Sequence, residues 1–164
     1  MTDDARNGDA DGTDADGTDT RNGDSTAVDP GDSVPDAFPP GELRPSQLYL
    51  NAEKLAAVLD HVGEGFDPGV LPVYRFDGDL YLVDGHTRAF VAYLVGLDEV
   101  AVEYDADLPE EHDLALYREC LDWCAEAGVE RVPDLAGRVL GPTAYEREWI
   151  ERCHRAGRRL DDAE

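Results

Sequence analysis

Five consecutive residues, Asp84-Gly85-His86-Thr87-Arg88, combine a carboxylate, a bend, an imidazole, a hydroxyl and a guanidinium between an apolar run and a helical pattern. Gly85 lets the backbone turn sharply and lets a ligand approach where a Cβ would stand. The first N–H groups of the helix that follows have no intrahelical partner, and the helix dipole favours an anion in front of them. Arg88 adds a bidentate donor suited to phosphate. His86 is a donor or proton exchanger near neutral pH, and Asp84 is a ligand for a divalent cation or a hydroxyl. A phosphate with its metal satisfies all five together. By pattern alone the structural alternative stands equal: Asp84 caps the helix, His86 fills the turn and Arg88 makes a surface ion pair.

The elements that must position this turn are legible as periodicity. Asn51 is an N-cap, and Leu55, Val58, Leu59 and Val62 follow at helical spacing, so a helix is predicted from there to Gly63. Residues 71–76 read as a strand, Asp77-Gly78 as a hairpin turn and 80–83 as the return strand. Thr87 to Val95 reads as a helix closed by Gly96, with Ala89, Phe90, Tyr93 and Leu94 as its buried face. Val100 to Tyr104 is another strand. The fold class predicted is α+β, a small mixed sheet with helices over 41–105, enlarged by a helical extension over 106–164. In that extension Leu114, Tyr117, Cys120, Leu121 and Cys124 form one apolar stripe, and Pro133 to Leu140 suggests a short helix. Thr143 and Glu146 have capping-box spacing, and Tyr145, Trp149 and Cys153 stack at every fourth position.

Residues 1–40 read as an acidic tail. They repeat Asp-Ala-Asp-Gly-Thr at 9–13 and 14–18 and hold almost no large apolar residue before Phe38, so they are expected to stay disordered. Across the chain 38 acidic residues face 14 basic ones, a net charge of −24, and Lys54 is the single lysine. Because the acidity also runs through the segments that look folded, it reads as adaptation to a salt-rich cytoplasm rather than as a disordered acidic interaction protein. Such a field opposes binding to nucleic acid and to anionic membranes. No apolar run is long enough for a transmembrane helix, no signal-peptide pattern opens the chain, and three cysteines make no disulfide framework. The expected location is the cytoplasm. The oligomeric state is not encoded in any pattern here.

One stretch carries a family resemblance. Leu43-Arg44-Pro45-Ser46-Gln47, Glu53-Lys54-Leu55, Pro72-Val73, the run from Tyr81 to Leu97 and Val100-Ala101-Val102 follow the order and spacing of the ParB/sulfiredoxin superfamily. The turn is most similar to the Asp-Gly-His-His-Arg of archaeal free-serine kinases. The resemblance implies that Gly85, His86, Thr87 and Arg88 hold the phosphate of a nucleotide (ATP, ADP or CTP) with Mg2+. Three departures qualify it. Gly85 precedes His86 where sulfiredoxin carries its reactive cysteine, no basic DNA-binding domain follows, and Gln47 stands where the kinase branch has a glutamate base. Glu42 and Glu53 are the nearby substitutes.

Three functions follow as expectations. The first is a kinase-like phosphotransferase acting on a small hydroxyl-bearing substrate, with Asp84 as metal ligand or acceptor guide and His86 stabilising transferred charge. The second is a non-catalytic, nucleotide-responsive interaction module, which Gln47 favours. The third is a DNA-associated ParB-like protein, opposed by the charge. Elsewhere, Cys120, Cys124, Cys153 and His154 could ligate zinc, but the spacing is unusual and cysteine is a common core residue. Trp123 and Trp149 read as core, His61 and His112 as exposed, and Arg152, Arg155, Arg158 and Arg159 as a solvated helix end.

Overall fold

A computed structural model describes residues 34–163; the expectation for the acidic tail therefore falls largely outside the described residues. Strand β1 is Ala37–Phe38, β2 Arg44–Pro45 and β3 Leu50–Asn51, followed by helix α1, Ala52–Leu59. The hairpin β4, Leu71–Phe76, and β5, Asp79–Leu82, leads into α2, His86–Leu94, and β6, Val100–Tyr104. The remainder is α3, Leu108–Glu111, α4, Leu114–Ala127, β7, Val139–Leu140, α5, Pro142–Tyr145, and α6, Glu151–Asp162.

The chain is α+β. Its mixed sheet runs in the order β1-β6-β4-β5-β2. The β4–β5 hairpin turns at Asp77 and Gly78, both at positive φ (54° and 93°), the geometry that suits the twist of paired strands and favours Asp-Gly. Leu71, Val73, Phe76 and Leu82 from this hairpin are buried. α2 carries the chain from β5 to β6, which pairs in parallel with β4.

Two short parallel pairings set up the site. Arg44 pairs with Tyr81 and Pro45 with Leu82, so the residues after β2 and the turn after β5 leave the sheet side by side. Leu50 pairs with Val139 and Asn51 with Leu140, which brings α5 against the same region. One core joins Leu43, Leu50, Leu71 and Phe90 to Cys120, Cys124, Val132, Leu135, Tyr145 and Trp149. The extension over 106–164 is thus part of the core of the 41–105 segment.

Several boundaries differ from the sequence reading. The tail was expected to reach residue 40, yet Ala37 and Phe38 pair with Ala101 and Val100, and Val34 and Phe38 pack on the core. α1 ends at Leu59 rather than Gly63, with a separate turn at Val62–Glu64. The buried face of α2 is His86, Ala89, Phe90, Val91 and Ala92, whereas Tyr93 and Leu94 are 43% and 52% exposed. That helix packs against α1 and against turns at Pro40–Glu42 and Val132–Gly137. Its first two turns supply the buried residues, while the Tyr93 ring lies against the turn at Gly41 with one side open to solvent. Residues 133–140 form the 3-10 turn Val132–Gly137 and then β7, not one helix. The capping box at Thr143 is absent, since α5 starts behind Gly141 with no side-chain cap. A π turn, Glu146–Ile150, then joins α5 to α6.

Because β1 covers the edge of β6, Phe38→Ala and deletion of residues 1–38 should each destabilise the protein, the substitution by about 1–2 kcal/mol for a half-buried aromatic ring. Urea denaturation checks this; a midpoint unchanged in both variants would show that β1 contributes nothing.

Candidate functional site

The parallel alignment of β2 with β5 delivers Ser46 to the turn after Leu82. Its backbone N–H donates to His86 Nε2 at 3.0 Å, and its Oγ donates to the Leu82 carbonyl at 2.6 Å. The imidazole also hydrogen-bonds the Leu82 carbonyl. With Nε2 accepting, the neutral ring carries its proton on Nδ1. His86 is 3% exposed. Burial outweighs the pull of Asp84 and of the carbonyl, and lowers its pKa to about 4. The sequence position suggested proton exchange near neutrality; the structure gives His86 a neutral ring that fastens the turn to β2.

Gly85 is the N-cap of α2, at φ 75°, with no side-chain cap. Its own N–H is taken by Asp84 Oδ1 at 2.8 Å, and its carbonyl accepts from Ala89 N–H. Among the described residues nothing accepts from the N–H groups of His86, Thr87 and Arg88. A side-chain cap would have claimed one of them; glycine leaves all three. Any Cβ at Gly85 would stand 2.7 Å from Arg88 Nη2 and 2.8 Å from Leu71 Cδ2. Glycine is therefore required here by both conformation and space.

Arg88 folds back over that glycine. Nη1 donates to the Pro68 carbonyl at 2.9 Å, and among the described residues no carboxylate makes an ion pair with it. Asp84 is exposed, and it accepts from the N–H of Gly85 rather than from a helix N2 or N3 position.

The turn forms one wall of a cleft of about 360 Å³. Asp84, Gly85, His86, Thr87 and Arg88 all line it, so the structure brings the five candidate residues to one place. Gln47, Asn51, Lys54 and Tyr145 also line it. Sequence reasoning missed the last three as site residues. Lys54 carried a signal, being the single lysine of a strongly acidic chain; Tyr145 carried none, since only the β3–β7 pairing brings it near. Gln47 donates through Nε2 to the Tyr49 carbonyl at 2.7 Å and to the Tyr145 hydroxyl at 3.1 Å. A glutamate at this position would set a carboxylate against that carbonyl. Burial pushes the Tyr145 phenol up to about 12, which keeps it protonated.

Beyond Gln47 and His86 lies a second cavity of about 230 Å³, whose lining includes Asp113, Tyr117, Cys120, Trp149 and Cys153. Tyr117 donates to the Val83 carbonyl at 3.2 Å, and burial, with Asp84 nearby, raises its pKa to about 12. Among the described residues no group of three or more His, Cys, Asp or Glu side chains is arranged to hold a metal ion. Magnesium commonly takes one or two carboxylates together with substrate phosphates. Asp84 fits that minimal requirement and no protein-only cage does. No helix among the described residues is long and apolar enough to cross a membrane.

No family model matches the chain, and no curated protein matches it. Among solved structures, the crystal structure of protein Atu1540 from Agrobacterium tumefaciens is similar, at 18% identity and a TM-score of 0.39 over 51% of this chain. The match spans about half of that protein, 47% of its chain. A likeness at this level carries neither fold nor function across.

The buried ring of His86 makes stability depend on pH with a definite sign. Its folded pKa, about 4, lies below the unfolded value of about 6.5, so the unfolded chain binds the proton first. The neutral ring's contribution is complete above about pH 6.5 and is lost as pH falls toward about 4, amounting to about 3 kcal/mol in full. His86→Gln keeps an acceptor for Ser46 and should flatten that part of the profile. Urea midpoints across this range check it; parallel profiles for the two proteins would contradict the assignment.

Proposed function

We propose that the cleft binds the phosphate of a nucleotide at the N-terminus of α2. The observation that carries this reading is the meeting, in one cleft, of the Arg88 guanidinium, the single lysine and a helix start whose first three N–H groups have no acceptor among the described residues, in a protein of net charge −24. The net charge repels anions over much of the surface, whereas helix-start donors and two cationic side chains line this cleft. The resemblance of residues 81–97 to the ParB/sulfiredoxin superfamily supports the same ligand class. The phosphate would accept from the N–H groups of His86, Thr87 and Arg88, with Lys54 lining the same cleft. When Mg2+ is bound with the nucleotide it supplies charge neutralisation, and Asp84 is the residue that would hold it.

A nucleotide-responsive binding module is the form of this reading that the side chains favour. His86 is neutral with Nε2 engaged by Ser46, Gln47 is no base, and the Tyr145 phenol holds its proton. One observation favours a phosphotransferase as second reading. The cavity beyond Gln47 and His86 adjoins the cleft and has room for a small hydroxyl-bearing acceptor.

Calorimetric titration with ATP, ADP and CTP, with magnesium and at molar potassium chloride, tests the proposal. Wild-type protein should bind at least one of them. Lys54→Ala, at an exposed position, should weaken it about tenfold or more while leaving the unfolding midpoint unchanged. Absence of binding, or equal affinity in the variant, would refute the proposal. Transfer of labelled phosphate to small hydroxyl compounds, abolished by Asp84→Asn with binding retained, would select the second reading.

A further inference from the structure

The second cavity contains chemistry that phosphate binding does not use. Cys120 on α4 and Cys153 on α6 both line it, and the two helices pack against each other. The two thiols face the same space closely enough that each shifts the other's ionisation. The pair is asymmetric: Cys120 is buried, whereas Cys153 is half-buried and reached from the cavity. Arg152, the neighbour of Cys153, is held with its guanidinium 4.0 Å from the Trp123 ring centroid.

We propose that Cys153 and Cys120 form a peroxide-reactive dithiol, Cys153 attacking and Cys120 resolving. Cys153 is the more accessible sulfur of the pair, and the neighbouring Cys120 thiol, with the Arg152 charge, lowers its pKa against the opposing effect of burial, so this is the sulfur that meets peroxide first. The neighbouring Cys153 thiol and burial raise the pKa of Cys120, so it waits as a thiol. In the first step the Cys153 thiolate attacks one oxygen of a hydroperoxide. An S–O bond forms, the O–O bond breaks, and the alcohol or water leaves with a proton taken from solvent, giving the sulfenic acid. In the second, the Cys120 sulfur loses its proton and attacks Cys153. The S–S bond forms, the S–O bond breaks and water leaves. Two thiols are thereby oxidised to one disulfide, and the peroxide takes up the two electrons. Cys124, one helical turn from Cys120, is buried with its thiol pushed up to about 12, and serves as an unreactive internal reference. The bridge would tie α4 to α6. None of this depends on what occupies the neighbouring cleft.

The test treats the full chain with stoichiometric hydrogen peroxide, then alkylates it in denaturant and maps the peptides by mass spectrometry. Two of the three thiols should be lost, with one Cys120–Cys153 linked peptide, Cys124 alkylated, and full recovery on reduction. In Cys120→Ser, a dimedone probe should trap sulfenic acid at Cys153; in Cys153→Ser, no cysteine should be labelled. Retention of all three alkylatable thiols, a bridge that includes Cys124, or overoxidation of Cys153 with Cys120 still free would overturn the proposal. The wild-type map needs no variant to fold.

Discussion

The buried hydrogen bond from the Ser46 backbone to His86 Nε2 holds the site together. β2 has only two residues and pairs with β5 through only two register positions, too little to fix a strand on its own. Ser46 adds two bonds, one to His86 and one to the Leu82 carbonyl. Breaking them would leave buried donors and acceptors unsatisfied, at about 1–3 kcal/mol each. This contact sets where Gln47 stands and therefore where the cleft and the second cavity divide. It also holds the first residue of α2, which aims the first N–H groups of that helix.

Neutrality of His86 is the consequence that shapes function. A charged imidazole at the N-terminus of α2 would oppose the positive end of the helix and would leave Ser46 N–H without an acceptor. A neutral one costs neither. Folding stability then declines on the acid side, where the buried ring resists the proton that the unfolded chain accepts. Gly85 belongs to the same constraint: without a side chain it caps nothing, and it makes room for Arg88 to lie across the bend.

Local signals made part of this legible in the sequence. Asp77-Gly78 announced the hairpin because only such residues accept positive φ at both turn positions, and the apolar runs on either side fixed β4 and β5. Gly85 and the following apolar spacing marked the start of α2, and the five residues of the turn do line one cleft. What the sequence did not show is what depends on distant pairing. β1, β2, β3 and β7 are two residues each, shorter than any period can register. The exposure of Tyr93 and Leu94 depends on how much of the helix its neighbours cover, which the helical repeat does not encode. Tyr145 reaches the cleft only through the β3–β7 pairing. The satisfied state of His86 could not be read from its type, since the same residue in the same motif could have faced solvent.

The central claim is that the first N–H groups of α2 hold a phosphate. Amide proton–nitrogen correlation spectra, recorded while the protein is titrated with ADP and magnesium at high salt, observe those groups directly. The account predicts that the amides of His86, Thr87 and Arg88 shift downfield and move more than any others, saturating together. Saturable shifts confined to another surface, or none at the start of α2 while the nucleotide binds, would contradict it.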